Sequence, residues 1–334
     1  MKNMNKQIIL KNRPKGKPET SDFEFQNIDE PKIDAGEILL KTKYISVDPY
    51  LRGRMRDEES YIPPFQLEKP ISSMVVAEVK DSQNKNFIPG DHVVGMLDWK
   101  LLQKNSGKNL RKISTDLAPF SAYLGVLGLT GLTAYLALET IGKLRKGETL
   151  LVSGAAGAVG SIVCQIGKIK GCHVVGIAGS DEKIQHIQEK FNVDNGINYK
   201  KTENMKDAIS EKCPEGVDVY FDNVGGETLD AVLQNINKAA RIINCGAISI
   251  YNETEVPTGP RPEGILIKKS ALMQGFLVRD HESKYAEAMT QLGEWLKSGK
   301  LKYDETIKNG FENTPDAFIS LFDGDNIGKM IVEI

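Results

Sequence analysis

Between residues 148 and 276 the chain alternates short apolar runs with longer amphipathic stretches. The apolar runs stand at 149–153, 173–178, 217–222, 241–245 and 271–276. Between the first two, Ile162, Val163, Ile166 and Ile169 recur at helical spacing, which predicts a helix over 159–170. Residues 181–191 and 229–238 read as further helices, each with one polar face. Strand and helix repeating in this way predict βαβ units, hence a parallel sheet with helices on both faces.

The chain up to about residue 123 has a different texture. Short strand-like runs at 36–42, 74–79 and 91–95 are separated by Pro, Gly and Asn, with Pro89-Gly90-Asp91 as a turn signal. Residues 125–138 are uncharged and rich in Leu, Thr, Ala and Gly, as in a buried helix or a domain junction. A helix is predicted over 285–298, ending at Gly299, then another over 314–322 and a final strand over 329–334.

Composition narrows the class. At about 150 residues per domain, 334 residues predict about two domains. With 40% hydrophobic and 26% charged residues the chain is globular rather than disordered. A formal net charge of −2 lacks the cationic excess of a nucleic-acid or acidic-membrane binder, so neither partner is expected. No apolar run approaches the ~18 residues of a membrane span, and Met1 to Arg13 is polar and basic, without the apolar core of a signal peptide. Cys164, Cys172, Cys213 and Cys245 are scattered without a C-x-x-C pair, as expected for small buried hydrophobes in a reduced, cytoplasmic setting. His92, His173, His186 and His281 are equally dispersed, and no metal site is expected.

The chemistry begins at Leu150-Leu-Val-Ser-Gly-Ala-Ala-Gly-Ala-Val-Gly160: a buried strand, a turn of small residues, then a helix start. Such a turn lets backbone N–H groups and a helix N-terminus meet a pyrophosphate without intervening side chains. In the G-x-G-x-x-G fingerprint Ala155 takes the first position, followed by Gly157 and Gly160. At the end of the next strand, where an NAD site places an acid, the chain reads Ile177-Ala-Gly-Ser-Asp-Glu-Lys183. Gly179 and Ser180 leave room there and Lys183 brings a cation, so NADPH is preferred over NADH. Asp181 and Glu182 also suit the first turn of a helix.

Six co-linear segments carry a resemblance. They are Val47-Asp-Pro-Tyr-Leu-Arg-Gly-Arg-Met55, Gly128-Leu-Thr-Gly-Leu-Thr-Ala-Tyr135, Ala155-Ala-Gly-Ala-Val-Gly-Ser161, Phe221-Asp-Asn-Val-Gly-Gly226, Cys245-Gly-Ala-Ile-Ser249 with Tyr251-Asn252, and Gly324-Asp-Asn-Ile-Gly-Lys329. Together they resemble the zinc-free medium-chain dehydrogenase/reductases of the prostaglandin reductase, leukotriene hydroxydehydrogenase and alkenal double-bond reductase branch. The four-cysteine lobe and Gly-His-Glu segment of the zinc-dependent members are absent from the sequence.

The resemblance implies an α/β protein: a GroES-like β-barrel catalytic domain (1–123 and 301–334) with a Rossmann NADP-binding domain (124–300) inserted. It implies that Gly157, Ala158, Val159, Gly160 and Ser161 hold the pyrophosphate, and Lys183 and Tyr199 the adenosine 2′-phosphate end. Asn223, Cys245 and Gly246 would face the cofactor, with Ser249 and Tyr251 near the nicotinamide ribose. Phe276, Leu277 and Val278 would lie along the nicotinamide, Asn326 would close over it, and Tyr50 would approach the substrate. A homodimer is also implied, with the edge strand near 271–276 as its pairing element.

The implied activity is NADPH-dependent reduction of a carbon–carbon double bond conjugated to a carbonyl, in an enone or alkenal. Hydride goes to the β-carbon and charge develops on the carbonyl oxygen, for which the Tyr251 hydroxyl and the cofactor's own ribose 2′-hydroxyl are the candidate donors. A quinone reductase, an alcohol dehydrogenase and a catalytically silent NADPH-binding protein are the competing readings. Substrate identity is not legible in the Pro-rich loops at 55–67 and 254–264.

Overall fold

A computed structural model describes residues 4–334. Seven strands come first: β1 (Met4–Leu10), β2 (Phe23–Asp29), β3 (Ile38–Ser46), β4 (Ser72–Ser82), β5 (His92–Asp98), β6 (Leu102–Asn105) and β7 (Arg111–Ile113). Six follow: β8 (Thr149–Ser153), β9 (His173–Ala178), β10 (Asn195–Asn198), β11 (Val217–Asp222), β12 (Ile236–Asn244) and β13 (Leu272–Gly275). The last two are β14 (Glu305–Asn309) and β15 (Lys329–Glu333). By contact the chain divides into two compact units, Met1–Leu124 with Glu305–Asn326 and Met330–Ile334, and Gly125–Asp304 with Ile327–Lys329.

In the first unit β14-β15-β3-β4-β5-β7 form one sheet, with β6 also pairing β3, and β1 and β2 form an antiparallel pair. Its core gathers Ile8, Leu10, Ile38, Leu40, Val75, Trp99 and Phe318, all fully buried. Trp99 is satisfied inside that core by donating Nε1–H to Ser73 Oγ at 2.8 Å. The polar reading of the first thirteen residues overlooked β1, because only Ile8, Ile9 and Leu10 mark it.

The second unit is a six-stranded sheet in the order β10-β9-β8-β11-β12-β13, every pair parallel. This is the Rossmann order 3-2-1-4-5-6, which reverses between β8 and β11. β8 is buried along its whole length, as a central strand covered on both faces must be. The predicted helices over 159–170, 181–191 and 285–298 form as Gly160–Ile169, Asp181–Phe191 and Tyr285–Lys297. Ser180 caps the second of them by accepting the Lys183 N–H.

One helix was misplaced by its periodicity. The stretch 229–238 is not a single helix: the helix runs Gly226–Leu233, and Ile236 already opens β12. Leu229, Val232, Leu233 and Ile236 continue a helical spacing across the turn at Gln234-Asn235. Ala239 then takes a left-handed φ of 59°, and the β11–β12 register shifts opposite it, which breaks the alternation that would mark a strand.

Candidate functional site

In an open parallel sheet ligands bind outside the carboxyl ends of the strands, where the strand order reverses. Here that point lies between the ends of β8 and β11. Beyond β8 the chain makes a tight turn, with Ala155 N–H donating to Ile177 O at 3.0 Å and Gly157 N–H to Gly154 O at 2.9 Å. Ala158 and Val159 complete the turn, and the helix starts at Gly160 with Ser161 buried behind it. A Cβ on Gly160 would stand 2.2 Å from Gly154 O, so only glycine permits this closure. The result is a backbone-walled cradle at the positive end of a ten-residue helix, which fits a pyrophosphate. Sequence reasoning missed a neighbour: Gly328 pairs with Gly157 in a parallel bridge and donates its N–H to Ala156 O at 2.8 Å.

Beyond β11, Asn223 donates Nδ2–H to Ser153 O at 2.7 Å, which ties the two strand ends together. Asp222 O accepts the N–H groups of Cys245 and Gly246 at 2.9 and 3.0 Å and brings the end of β12 alongside. Ser249 donates its hydroxyl to Val224 O at 2.6 Å. The Tyr251 hydroxyl accepts the Ala247 N–H at 3.1 Å, and a Cβ on Gly246 would lie 3.4 Å from it. Burial raises the Tyr251 pKa, so the phenol stays protonated at neutral pH. Accepting from Ala247 uses a lone pair of the hydroxyl, not its proton.

Asn244, the last residue of β12, has a buried Oδ1 with no hydrogen-bond partner, an acceptor at the same edge that suits an amide or hydroxyl donor. Phe276 follows β13 and donates its N–H to Asn244 O at 3.0 Å. Its ring stacks on His281, centroids 4.9 Å apart, and Leu277 and Val278 are half-buried beside it.

A second corner lies at the ends of β9 and β10. Tyr199 donates its N–H to Ala178 O at 3.1 Å, and its ring covers Gly179 so closely that a Cβ there would stand 3.1 Å from the hydroxyl. Lys183 sits in the first turn of the helix that Ser180 caps. The neighbouring Asp181 carboxylate is already engaged by Lys201 and by Asn198, and these bonds lower its pKa. Its charge is thereby neutralised locally. The arrangement places a cation, Lys183, at the end of β9, where a 2′-phosphate would need one.

Two proposed residues belong to the other unit. Tyr50 precedes the short helix Leu51–Arg54, whose arginines donate to the Pro14, Gly16, Pro63 and Ser72 carbonyls. The Tyr50 hydroxyl is buried without a hydrogen-bond partner, and desolvation holds its pKa well above that of a free phenol. Asn326 lies half-buried in the turn before β15. Among the described residues no group of three or more His, Cys, Asp or Glu side chains is placed to hold a metal ion. None of the described helices is long and apolar enough to cross a membrane. Cys164, Cys172 and Cys213 are buried, and burial raises their pKa values, so they are not activated thiols.

Two family profiles match the chain: one for the N-terminal domain of oxidoreductase over residues 6–113, and one for zinc-binding dehydrogenase over residues 158–294. Among the described residues no group of three or more His, Cys, Asp or Glu side chains is placed to hold the zinc of the second description. YfmJ of Bacillus subtilis (strain 168), which carries the name of an NADP-dependent oxidoreductase, is 54% identical over 98% of this chain and 97% of its own length. The NADP(+)-dependent 2-alkenal reductase of Nicotiana tabacum is 41% identical over 99% of this chain and 97% of its own. The crystal structure of CurA in complex with NADPH from Vibrio vulnificus superposes with a TM-score of 0.94 at 40% identity, covering 98% of each chain. That correspondence extends over both units, and the fold is a GroES-like domain with a Rossmann domain.

Proposed function

This chain belongs to the medium-chain dehydrogenase/reductase family, in the branch of the alkenal double-bond reductases, and we propose that it reduces α,β-unsaturated ketones and aldehydes with NADPH. Whole-length identity to a 2-alkenal reductase is the observation that carries this reading. The glycine turn, the Lys183–Tyr199 corner and the CurA–NADPH likeness support NADP(H) as the cofactor.

When bound, the cofactor supplies the hydride that the substrate's β-carbon receives. Gly157, Ala158, Val159, Gly160 and Ser161 would hold the pyrophosphate, and Asn223, Cys245, Gly246 and Ser249 the nicotinamide half. Phe276, Leu277, Val278 and Asn326 would wall the nicotinamide. Tyr251 keeps its proton through burial, so it is the donor to the carbonyl oxygen as enolate charge develops. Tyr50 presents a desolvated hydroxyl in need of a partner, which a polar substrate atom supplies.

In this reading residues 1–123 and 301–334 form the catalytic domain and 124–300 the NADP-binding domain. β13, an edge strand with Leu272 exposed, pairs with its copy in a homodimer. The protein acts in the cytoplasm. The test is nicotinamide absorbance followed with an enone, a quinone and no acceptor. Saturable oxidation with the enone supports the reading. Turnover confined to the quinone, or tight NADPH binding without turnover, overturns it.

A further inference from the structure

We propose, resting on the NADPH reading above, that Ser153 is a positioning residue that sets the side chain of Asn223 for cofactor binding, with the buried Asp222 carboxylate as its anchor. The β8–β11 ladder ends at Phe221 opposite Val152. One residue later Ser153 pairs with Ile177 of β9, and side chains take over the link to β11. The Ser153 hydroxyl donates to Asp222 Oδ1 at 3.0 Å and accepts the Asn223 N–H at 2.9 Å. Its carbonyl accepts Asn223 Nδ2–H at 2.7 Å. One residue therefore holds both the backbone and the carboxamide of Asn223. With Nδ2 committed, the planar carboxamide has its Oδ1 direction fixed as well.

Asp222 is 1% exposed and Ser153 is fully buried. Besides Ser153, Asp222 Oδ1 accepts the Tyr220 hydroxyl at 2.8 Å and the N–H groups of Val224 and Gly225 at 3.0 and 2.9 Å. Among the described residues the donors to this oxygen are hydroxyls and backbone amides, not cations. A buried carboxylate served this way fixes the direction of each donor around it. The cluster thereby links the ends of β8 and β11 where the strand order reverses.

The experiment is a double-mutant cycle on NADPH dissociation constants: wild type, Ser153→Ala, Asn223→Ala and the double variant. Ser153→Ala keeps the carbonyl that accepts Asn223 Nδ2–H but removes the hydroxyl's bonds to Asp222 Oδ1 and the Asn223 N–H. That frees the backbone that carries the carboxamide and is expected to weaken NADPH by about fivefold to tenfold. In the Asn223→Ala background the same change is expected to weaken it by less than about twofold: the residue-223 amide is still held there, but no carboxamide remains for that hold to position. Equal loss in both backgrounds, or no loss in the wild-type background, overturns the proposal even though NADPH binds. Wild type that fails to bind NADPH overturns the reading beneath it, and this inference with it. Melting temperature is read in parallel, since a packing role alone would lower it without coupling to Asn223. If Ser153→Ala does not fold, Ser153→Cys, of similar shape with a weaker donor, carries the same cycle.

Discussion

The two ends of the parallel sheet solve the same problem, a carboxylate taken out of water, by different means. At the amino end Glu148 takes a two-pronged ion pair from Arg241 at 2.9 and 2.6 Å, while Arg241 also donates to Gly142 O. Asp194, exposed at the same edge, accepts Lys168 and the Val174 N–H, each at 2.7 Å. At the carboxyl end Asp222 is met by two hydroxyls and two backbone amides. Ion pairs cancel charge, and the Arg241–Glu148 pair does so at the edge that carries no candidate site; at the carboxyl edge the Asp181–Lys201 pair lies in the exposed corner beyond β9 and β10. Neutral donors instead orient the loops after β8 and β11, so this edge stores geometry. The Glu148–Arg241 pair and the Asp222 cluster thus contrast stability with ligand binding at opposite ends of one sheet, and each can be broken separately.

The largest effect is expected from Gly160→Ala. A methyl group 2.2 Å from Gly154 O forces the turn open, costing about 3 kcal/mol, or roughly a hundredfold in NADPH affinity by titration. Undiminished affinity would show that the turn is not the cradle. Next is Glu148→Gln, which leaves the Arg241 charge half-buried and should lower unfolding stability by about 2–3 kcal/mol while NADPH affinity holds.

That variant also has a pH signature. Burial alone raises the Glu148 pKa, but the Arg241 bonds, the Arg145 amide and the charge of Arg241 outweigh it and hold the carboxyl below its ordinary value. A depressed folded pKa contributes stability that is present above the unfolded value, about 4.3, and is lost as pH falls through the folded one. Denaturant titrations below about pH 4.5 should therefore show a steeper loss for wild type than for Glu148→Gln. Equal slopes would remove Glu148 from the account.

At the binding edge Tyr251→Phe should lower enone turnover by about tenfold to a hundredfold with much less change in NADPH affinity. Equal loss in both quantities would make Tyr251 a cofactor contact only. The smallest effect is expected at the 2′-phosphate corner. Lys183→Ala should weaken NADPH by about fivefold, roughly 1 kcal/mol, and leave NADH nearly unchanged. Equal weakening of both would count against the phosphate assignment.

The fold was largely legible because parallel strands bury both faces. The runs at 149–153, 173–178 and 217–222 stand out as apolar blocks, and the structure places strands there. β10 escaped notice because Asn195-Gly-Ile-Asn198 has one apolar side chain to announce it. β2 escaped because, of its seven residues, only Phe23 is buried. The glycine turn was legible because its chemistry is local, whereas the Ser180 cap of the Asp181–Phe191 helix was not read from the sequence. The Ser153–Asp222 clasp was not, since its partners lie 69 positions apart and each looks like an ordinary strand end. Gly328 against Gly157 was hidden for the same reason: only the fold brings the tail to the turn.

The central claim is that a conjugated carbon–carbon double bond is the group reduced. It is tested most directly by turnover of an enone with NADPH deuterated at nicotinamide C4 on the transferred face. Mass and NMR analysis of the product should place deuterium on the β-carbon of a saturated ketone, with the carbonyl intact. Deuterium on the carbinol carbon of an allylic alcohol, or an unreduced enone, would contradict it.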